Sequence, residues 1–249
     1  MTKGNIIAVL IIWSICGQLP VLAQSSGKQP VMVAMQSLAS RYAAKKNLAF
    51  SVVYRYSTES RPGDYLDSLK GSFEISGDRY KYRIDSTEFL STKDISVILF
   101  RTDKLIYLAK PSAAMRSNNP LALLDSLLWK KDSVDGEVVE GGGLEKIVLR
   151  FKAGGPVKRI EYLIDKSSGL LIKATNTIDS RQLYDMSVRS KIQGAISYVN
   201  VEADLLDYRE GVFSESELDP GLYVKKVDGQ YITQAPYQSY KIFLANPDL

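Results

Sequence analysis

Histidine is absent from the chain, and cysteine occurs once, at Cys16. Without an imidazole there is no Ser-His-Asp triad and no Cys-His dyad, since both need a base that titrates near neutrality. The usual zinc sites, built on Cys and His, are excluded with them. Charge of one sign is also scarce: 32 Lys and Arg face 28 Asp and Glu, a formal +4 over 249 residues. That excess is too small to point to nucleic acid as a partner. No internal repeat of solenoid period and no low-complexity tract occurs. What is present is 45% hydrophobic, 24% charged and 10% aromatic, which excludes disordered and collagen-like classes.

The start of the chain reads as an export signal. Lys3 supplies a positive charge, Ile6 to Ile15 is an almost continuous apolar run, and Val21-Leu22-Ala23 places a small residue before Gln24. This is the pattern of a secretory signal peptide, residues 1–23, cleaved after Ala23. Gly17, Gln18 and Pro20 end the apolar run short of the roughly 20 residues a bilayer span needs, so no transmembrane span is expected after its removal. Ile15 precedes Cys16 where a lipidated cysteine would need a small residue, so lipidation is not expected. An exported chain without cysteine is expected to stand on its hydrophobic core.

Residues 24–29 (QSSGKQ) read as a flexible leader and residues 30–249 as one domain. Val31, Met35, Leu38 and Tyr42 recur at helical spacing, predicting an amphipathic helix that begins at Pro30 and ends near Asn47. Period two then takes over: Leu48, Phe50, Val52, Tyr54 and Tyr56 share one face of a strand. Gly71 to Ser76 and Arg79 to Asp85 flank the turn Ser76-Gly77-Asp78, the clearest hairpin in the sequence. Thr87 to Leu90, Ile95 to Phe100 and Lys104 to Ala109 continue as a meander. Asn119-Pro120 caps a second predicted helix with Leu121, Leu124 and Leu128 on one face. Gly141-Gly142-Gly143 reads as a flexible break. Strands are predicted again at Leu144 to Lys152, Lys158 to Asp165, Leu170 to Ile178, Leu183 to Ile192, Ala195 to Asp204, Tyr223 to Val227, Gln230 to Thr233 and Tyr240 to Leu244. The fold class is therefore α+β, mostly antiparallel β, with a large sheet whose apolar face the helices cover.

Chemistry-bearing patterns are few. The triple glycine lacks the Lys-Ser/Thr of a phosphate loop, since Leu144-Glu145 follow it. The pairs Asp64/Asp67 and Asp204/Asp207 carry the right groups for general acid-base work or calcium, but neither has calcium-loop spacing, and solvated strand-edge charge explains them. Arg79, Lys81 and Arg83 alternate with Tyr80, Tyr82 and Ile84, which sorts charge and aromatics onto opposite faces. Fifteen tyrosines and seven phenylalanines leave two readings open. One is a core filled by its own aromatics, in an envelope module whose Tyr-rich segment from Tyr223 to Tyr240 contacts another protein. The other is an aromatic-lined groove that holds an apolar ligand. No catalytic residue, metal site or cofactor is predicted; a hydrolase built on distant carboxylates is a third and weaker reading.

The order of elements carries a resemblance: GSFEISGDRYKYRID (71–85), FRTDKLIYL (100–108), NPLALLDSLL (119–128) and KRIEYLIDKSSGLLIKATNTI (158–178). The chain resembles the periplasmic lipoprotein carriers of the LolA/LolB type. Gly71-Ser72-Phe73, Tyr82-Arg83 and Leu105-Ile106-Tyr107 match that family's glycine-initiated strand, aromatic-Arg strand end and aromatic-bearing hairpin. The resemblance implies an incomplete, half-open β-barrel covered by helices, and a periplasmic, non-enzymatic binder of lipid acyl chains or lipoproteins. Val31, Met35, Leu38, Tyr42, Leu121, Leu124 and Leu128 would then form the lid, and Phe50, Tyr54, Phe73, Tyr80 and Tyr82 the groove floor. Arg83 matches the arginine that latches the lid in those carriers.

Overall fold

The structure, a computed structural model, describes residues 23–111, 134–152, 155–183, 198–211, 214–246 and 249. Its elements are β1 (Ala23–Ser26), α1 (Lys28–Ala43), β2 (Asn47–Thr58), β3 (Tyr65–Ser76), β4 (Arg79–Ile84), β5 (Thr87–Ser91), β6 (Ser96–Phe100) and β7 (Leu105–Ala109), then β8 (Val134–Gly141), β9 (Leu144–Phe151), β10 (Val157–Asp165), β11 (Leu170–Asp179), β12 (Tyr198–Glu210), β13 (Val224–Val227), β14 (Gln230–Thr233) and β15 (Lys241–Leu244). Single 3-10 turns lie at Ser180–Leu183, Glu215–Leu218 and Pro220–Leu222.

Thirteen strands make one curved, open sheet in the order β1-β8-β9-β10-β11-β12-β2-β3-β4-β5-β6-β7-β15, and β13 and β14 form a separate hairpin. Two meanders, β2 to β7 and β8 to β12, are stitched together where β12 pairs antiparallel with β2. Among the described strands only β15 is parallel to its neighbour, β7. This is the mostly antiparallel, incompletely closed sheet expected from the sequence. One of its two predicted covering helices is α1; the other, with Leu121, Leu124 and Leu128, lies outside the described residues.

Period-two alternation gives the sheet an inner and an outer face, and each has its own core. On the inner face Val31, Met35, Leu38 and Tyr42 of α1 pack onto Leu48, Phe50 and Val52 of β2, Ile147 and Leu149 of β9, and Ile160, Tyr162 and Ile164 of β10. The Tyr42 hydroxyl lies 2.7 Å from that of Tyr208, which donates to the Leu171 carbonyl at 2.6 Å. The helix end is thereby pinned to β11 and β12, and a buried hydroxyl is satisfied. On the outer face Leu90, Val97, Leu99, Ile106 and Leu108 are covered by Leu218, Tyr223 and Val224 from the C-terminal segment.

Several elements differ from the expectation. Residues 24–26, read as a free leader, belong to β1, which pairs with β8 from Ala23↔Glu140 to Ser26↔Glu137; a polar edge strand carries no alternating apolar signature. Strand β8 itself is not among the predicted strands. Gly136 stands in its middle because α1 presses against it: a Cβ there would sit 2.7 Å from Val31 Cγ2. The triple glycine is a tight turn rather than a break, with Gly142 at φ 58° and Gly143 at φ 78° joining β8 to β9, a conformation glycine adopts without steric cost. Strand β3 starts at Tyr65, well before Gly71; its first half is mostly exposed, lacks a clean apolar alternation and is paired with β2 alone. Of the predicted strand from Leu183 to Ile192, Leu183 ends a 3-10 turn and the rest lies outside the described residues.

Candidate functional site

The pairing register lines up aromatic side chains along the inner face. Phe50 is opposite Phe73, Phe73 opposite Tyr82, and Tyr82 opposite Phe89. Phe89 then faces Ile98, Ile98 faces Tyr107, and Tyr107 lies beside Phe243 of β15. Ring centroids are 5.0 Å apart for Phe50–Phe73, 5.5 Å for Phe73–Tyr82 and 5.0 Å for Tyr82–Phe89, all near parallel. Tyr80 joins by stacking on Phe89 at 5.5 Å. Such pairs add about 0.5–1.5 kcal/mol each beyond the area they bury.

Tyr208 extends the row at its other end, 5.1 Å from Phe50. It reaches this face through a bulge. Leu206 is paired with Ser51 and Arg209 with Ala49, so Asp207 and Tyr208 both stand opposite Phe50, and Asp207 takes φ 55°. The extra residue reverses the alternation of β12 and turns Tyr208 inward. Sequence periodicity alone assigns the wrong face beyond Leu206 and so misses Tyr208; Phe89, by contrast, is visible from sequence as an inward position.

Helix α1 lies over β8 and β9, with smaller contacts to β1 and β11. The row from Tyr208 to Phe89 therefore runs alongside the helix rather than beneath it. Val31, Met35, Leu38, Tyr42 and Phe50 are buried in the core that α1 fills. Tyr54 and Phe73 pack against its margin half-buried, and Tyr80 and Tyr82 are half-buried further along the row. Burial pushes the hydroxyls of Tyr54, Tyr80 and Tyr82 above the ordinary tyrosine range. The strip therefore carries no ionised hydroxyl at physiological pH, and its accessible part is Phe73, Tyr80 and Tyr82, since Phe50 and Phe89 are buried.

Arg83 is not part of this strip. Alternation with Tyr82 sends it to the outer face, where its Nε is 3.2 Å from Glu88. Glu88 is 3% exposed and is the hub of that face: it also takes Lys81 at 3.3 Å, Arg101 at 3.0 Å and the Tyr223 hydroxyl. Burial alone would raise this carboxyl; the hydrogen bonds from Tyr223 and Arg101 and the charge of Lys81 outweigh it and lower the carboxyl to about 2. Tyr223, read from sequence as part of a contact surface for another protein, is 2% exposed and packs inside the outer core.

Three of the four residues in the acidic pairs have structural partners. Asp64 pairs with Arg61 at 3.3 Å, Asp67 accepts the Ser68 amide at 2.7 Å, and Asp204 pairs with Arg55 and, at 4.0 Å, Lys173. No cluster of metal-ligating side chains occurs among the described residues, and no helix among them is long and apolar enough to cross a membrane.

No family model and no curated protein matches the sequence. Among solved structures, the chain is similar to an uncharacterized conserved protein from Thermus thermophilus, with 8% identity and a TM-score of 0.45 over 87% of this chain and 99% of that one. It is similar to the lipoprotein LppX of Mycobacterium tuberculosis, with 13% identity and a TM-score of 0.40 over 75% and 99%. A LolA superfamily protein from Nitrosomonas europaea, with 9% identity and a TM-score of 0.34 over 75% of this chain and 98% of that one, is also matched.

Proposed function

We propose that this protein is an exported, non-catalytic binder that holds the acyl chain of a lipid or lipidated protein against the inner face of its open sheet, in the periplasm. The observation that carries the reading is the aromatic row Tyr208, Phe50, Phe73, Tyr82 and Phe89 beside α1, in which Phe50 and Phe89 are buried and Phe73, Tyr82 and the adjoining Tyr80 are half-buried. A row of rings without a charged group suits a flexible hydrocarbon chain, whose affinity comes from methylenes removed from water and needs few directed contacts. The absence of histidine from the sequence fits a role without acid-base chemistry.

The test is chain length. Each added methylene contributes about 0.8 kcal/mol, roughly fourfold in affinity. Displacement of a fluorescent fatty acid by saturated acids of increasing length is expected to show that progression up to the length of the strip and then level off. Affinity that does not depend on chain length overturns the reading.

A further inference from the structure

The outer face of β9 to β12 and β2 is polar, as an uncovered sheet face should be, yet part of it is shut away from water. Ser57, Thr177, Asn200 and Glu202 are each more than nine-tenths buried. Ser57 is opposite Asn200 in the register, and Asn200 is opposite Thr177. Thr177 Oγ1 donates to Asn200 Oδ1 at 2.9 Å, whereas the fully buried Ser57 hydroxyl has no hydrogen-bond partner among the described residues. A solvated row of cross-strand polar pairs would be exposed and would leave no such orphan.

Beside Ser57, a cleft of about 340 Å³ is lined by Thr175, Thr177, Asn200 and Glu202 of this face and by Pro62 of the β2–β3 loop. That volume is at the small end of the ligand-site range. Around it, Glu161 pairs with Lys146 at 2.7 Å and with Arg159, and Glu202 pairs with Lys173 and accepts the Tyr65 hydroxyl at 3.3 Å. With Asp204, which also reaches Lys173 at 4.0 Å, and its partner Arg55 included, four cations face three carboxylates, and one positive charge is left over. The Lys146 ammonium is pushed below its usual range by burial and by neighbouring Arg159 and Arg150, against the opposing pull of Glu137, so an anion placed there relieves a crowding the protein itself leaves in place.

We propose that this cleft binds a small polyol phosphate, its phosphate among Lys146, Arg159 and Lys173 and its hydroxyls on Thr175, Thr177 and Asn200. Guanidinium and ammonium groups supply charge-assisted donors to phosphate oxygens. Hydroxyl and amide side chains both give and accept, as polyol hydroxyls require. The same chemistry is present in a free sugar-type phosphate and in a phospholipid headgroup.

The experiment is a titration of isotope-labelled protein with glycerol 3-phosphate, followed by amide chemical shifts, and a parallel sedimentation with phosphatidylglycerol vesicles. Saturable shifts at Thr175, Thr177 and Asn200 are expected, weakened about tenfold in Lys146→Met, which leaves Glu161 paired with Arg159. Thr177→Val, which alters no charge, is expected to weaken binding about fivefold. Vesicle binding that Lys146→Met abolishes supports the site with a lipid headgroup as its ligand; saturable glycerol 3-phosphate binding without vesicle binding supports it with a free phosphate. No saturable binding, shifts scattered over surface lysines, or indifference to both substitutions overturns the proposal.

Discussion

Glu88→Leu is expected to release the C-terminal segment from the outer face while the sheet under α1 stays folded. The carboxylate is the shared acceptor for Lys81, Arg83, Arg101 and Tyr223. Removing it leaves those donors unequally placed. Arg83 and Arg101 are 53% and 40% exposed and can turn to water, whereas Lys81 at 13% and Tyr223 at 2% cannot. The loss of one partner from a buried ionic cluster costs about 3–5 kcal/mol, and the solvated arginines place this case near the lower figure. Near-ultraviolet circular dichroism from Tyr223, Tyr237 and Tyr240 is expected to fall at neutral pH with the far-ultraviolet strand signal retained. An unchanged tyrosine signal contradicts the role given to Glu88.

Acid is expected to mimic that substitution. The folded-state carboxyl lies at about 2 against an ordinary value of 4.5, so its stabilising contribution is complete above pH 4.5 and is lost as the pH falls through 2. In the wild-type protein the tyrosine signal should therefore decay between those values, and in Glu88→Leu this step should be missing.

Phe73→Asp is expected to abolish fatty-acid binding with little change in secondary structure. Phe73 is in the middle of the aromatic strip, 5.0 Å from Phe50 and 5.5 Å from Tyr82, and it is half-buried, so a carboxylate there can stay hydrated while the strip is empty. A hydrocarbon chain laid across it must strip that water away without offering a hydrogen bond in return. Affinity should fall at least about a hundredfold, and Phe73→Leu should keep most of it. Equal binding by the aspartate variant contradicts the placement of the groove.

Legibility in the sequence follows the regularity of the alternation. Strand β4 is plain because Arg79, Lys81 and Arg83 alternate without a break with Tyr80, Tyr82 and Ile84, and the structure divides them between the two faces accordingly. The same rule fails at Tyr208, where the bulge at Asp207 inserts a residue that no hydrophobic pattern announces. It fails at β8 because Gly136 and Val138 are the only buried positions of a strand that packs under the helix. The outer core leaves a signal that period-two reading passes over. Phe89-Leu90 and Val97-Ile98-Leu99 are consecutive apolar residues, the mark of strands covered on both faces. Glu88 beside them is the one charge in that apolar setting, and its meaning emerges only once Lys81, Arg101 and Tyr223 are brought to it from other elements.

The central claim is that the aromatic strip is a surface for an acyl chain. Native mass spectrometry of the purified protein, gently released and then denatured, with lipid extraction of the same sample, tests it most directly. The account predicts a stoichiometric co-purifying lipid or acylated peptide, displaced by added fatty acid and lost in Phe73→Asp. A clean apo mass, with no uptake of added fatty acid or lipopeptide, would contradict it and make the aromatic row a self-filled core.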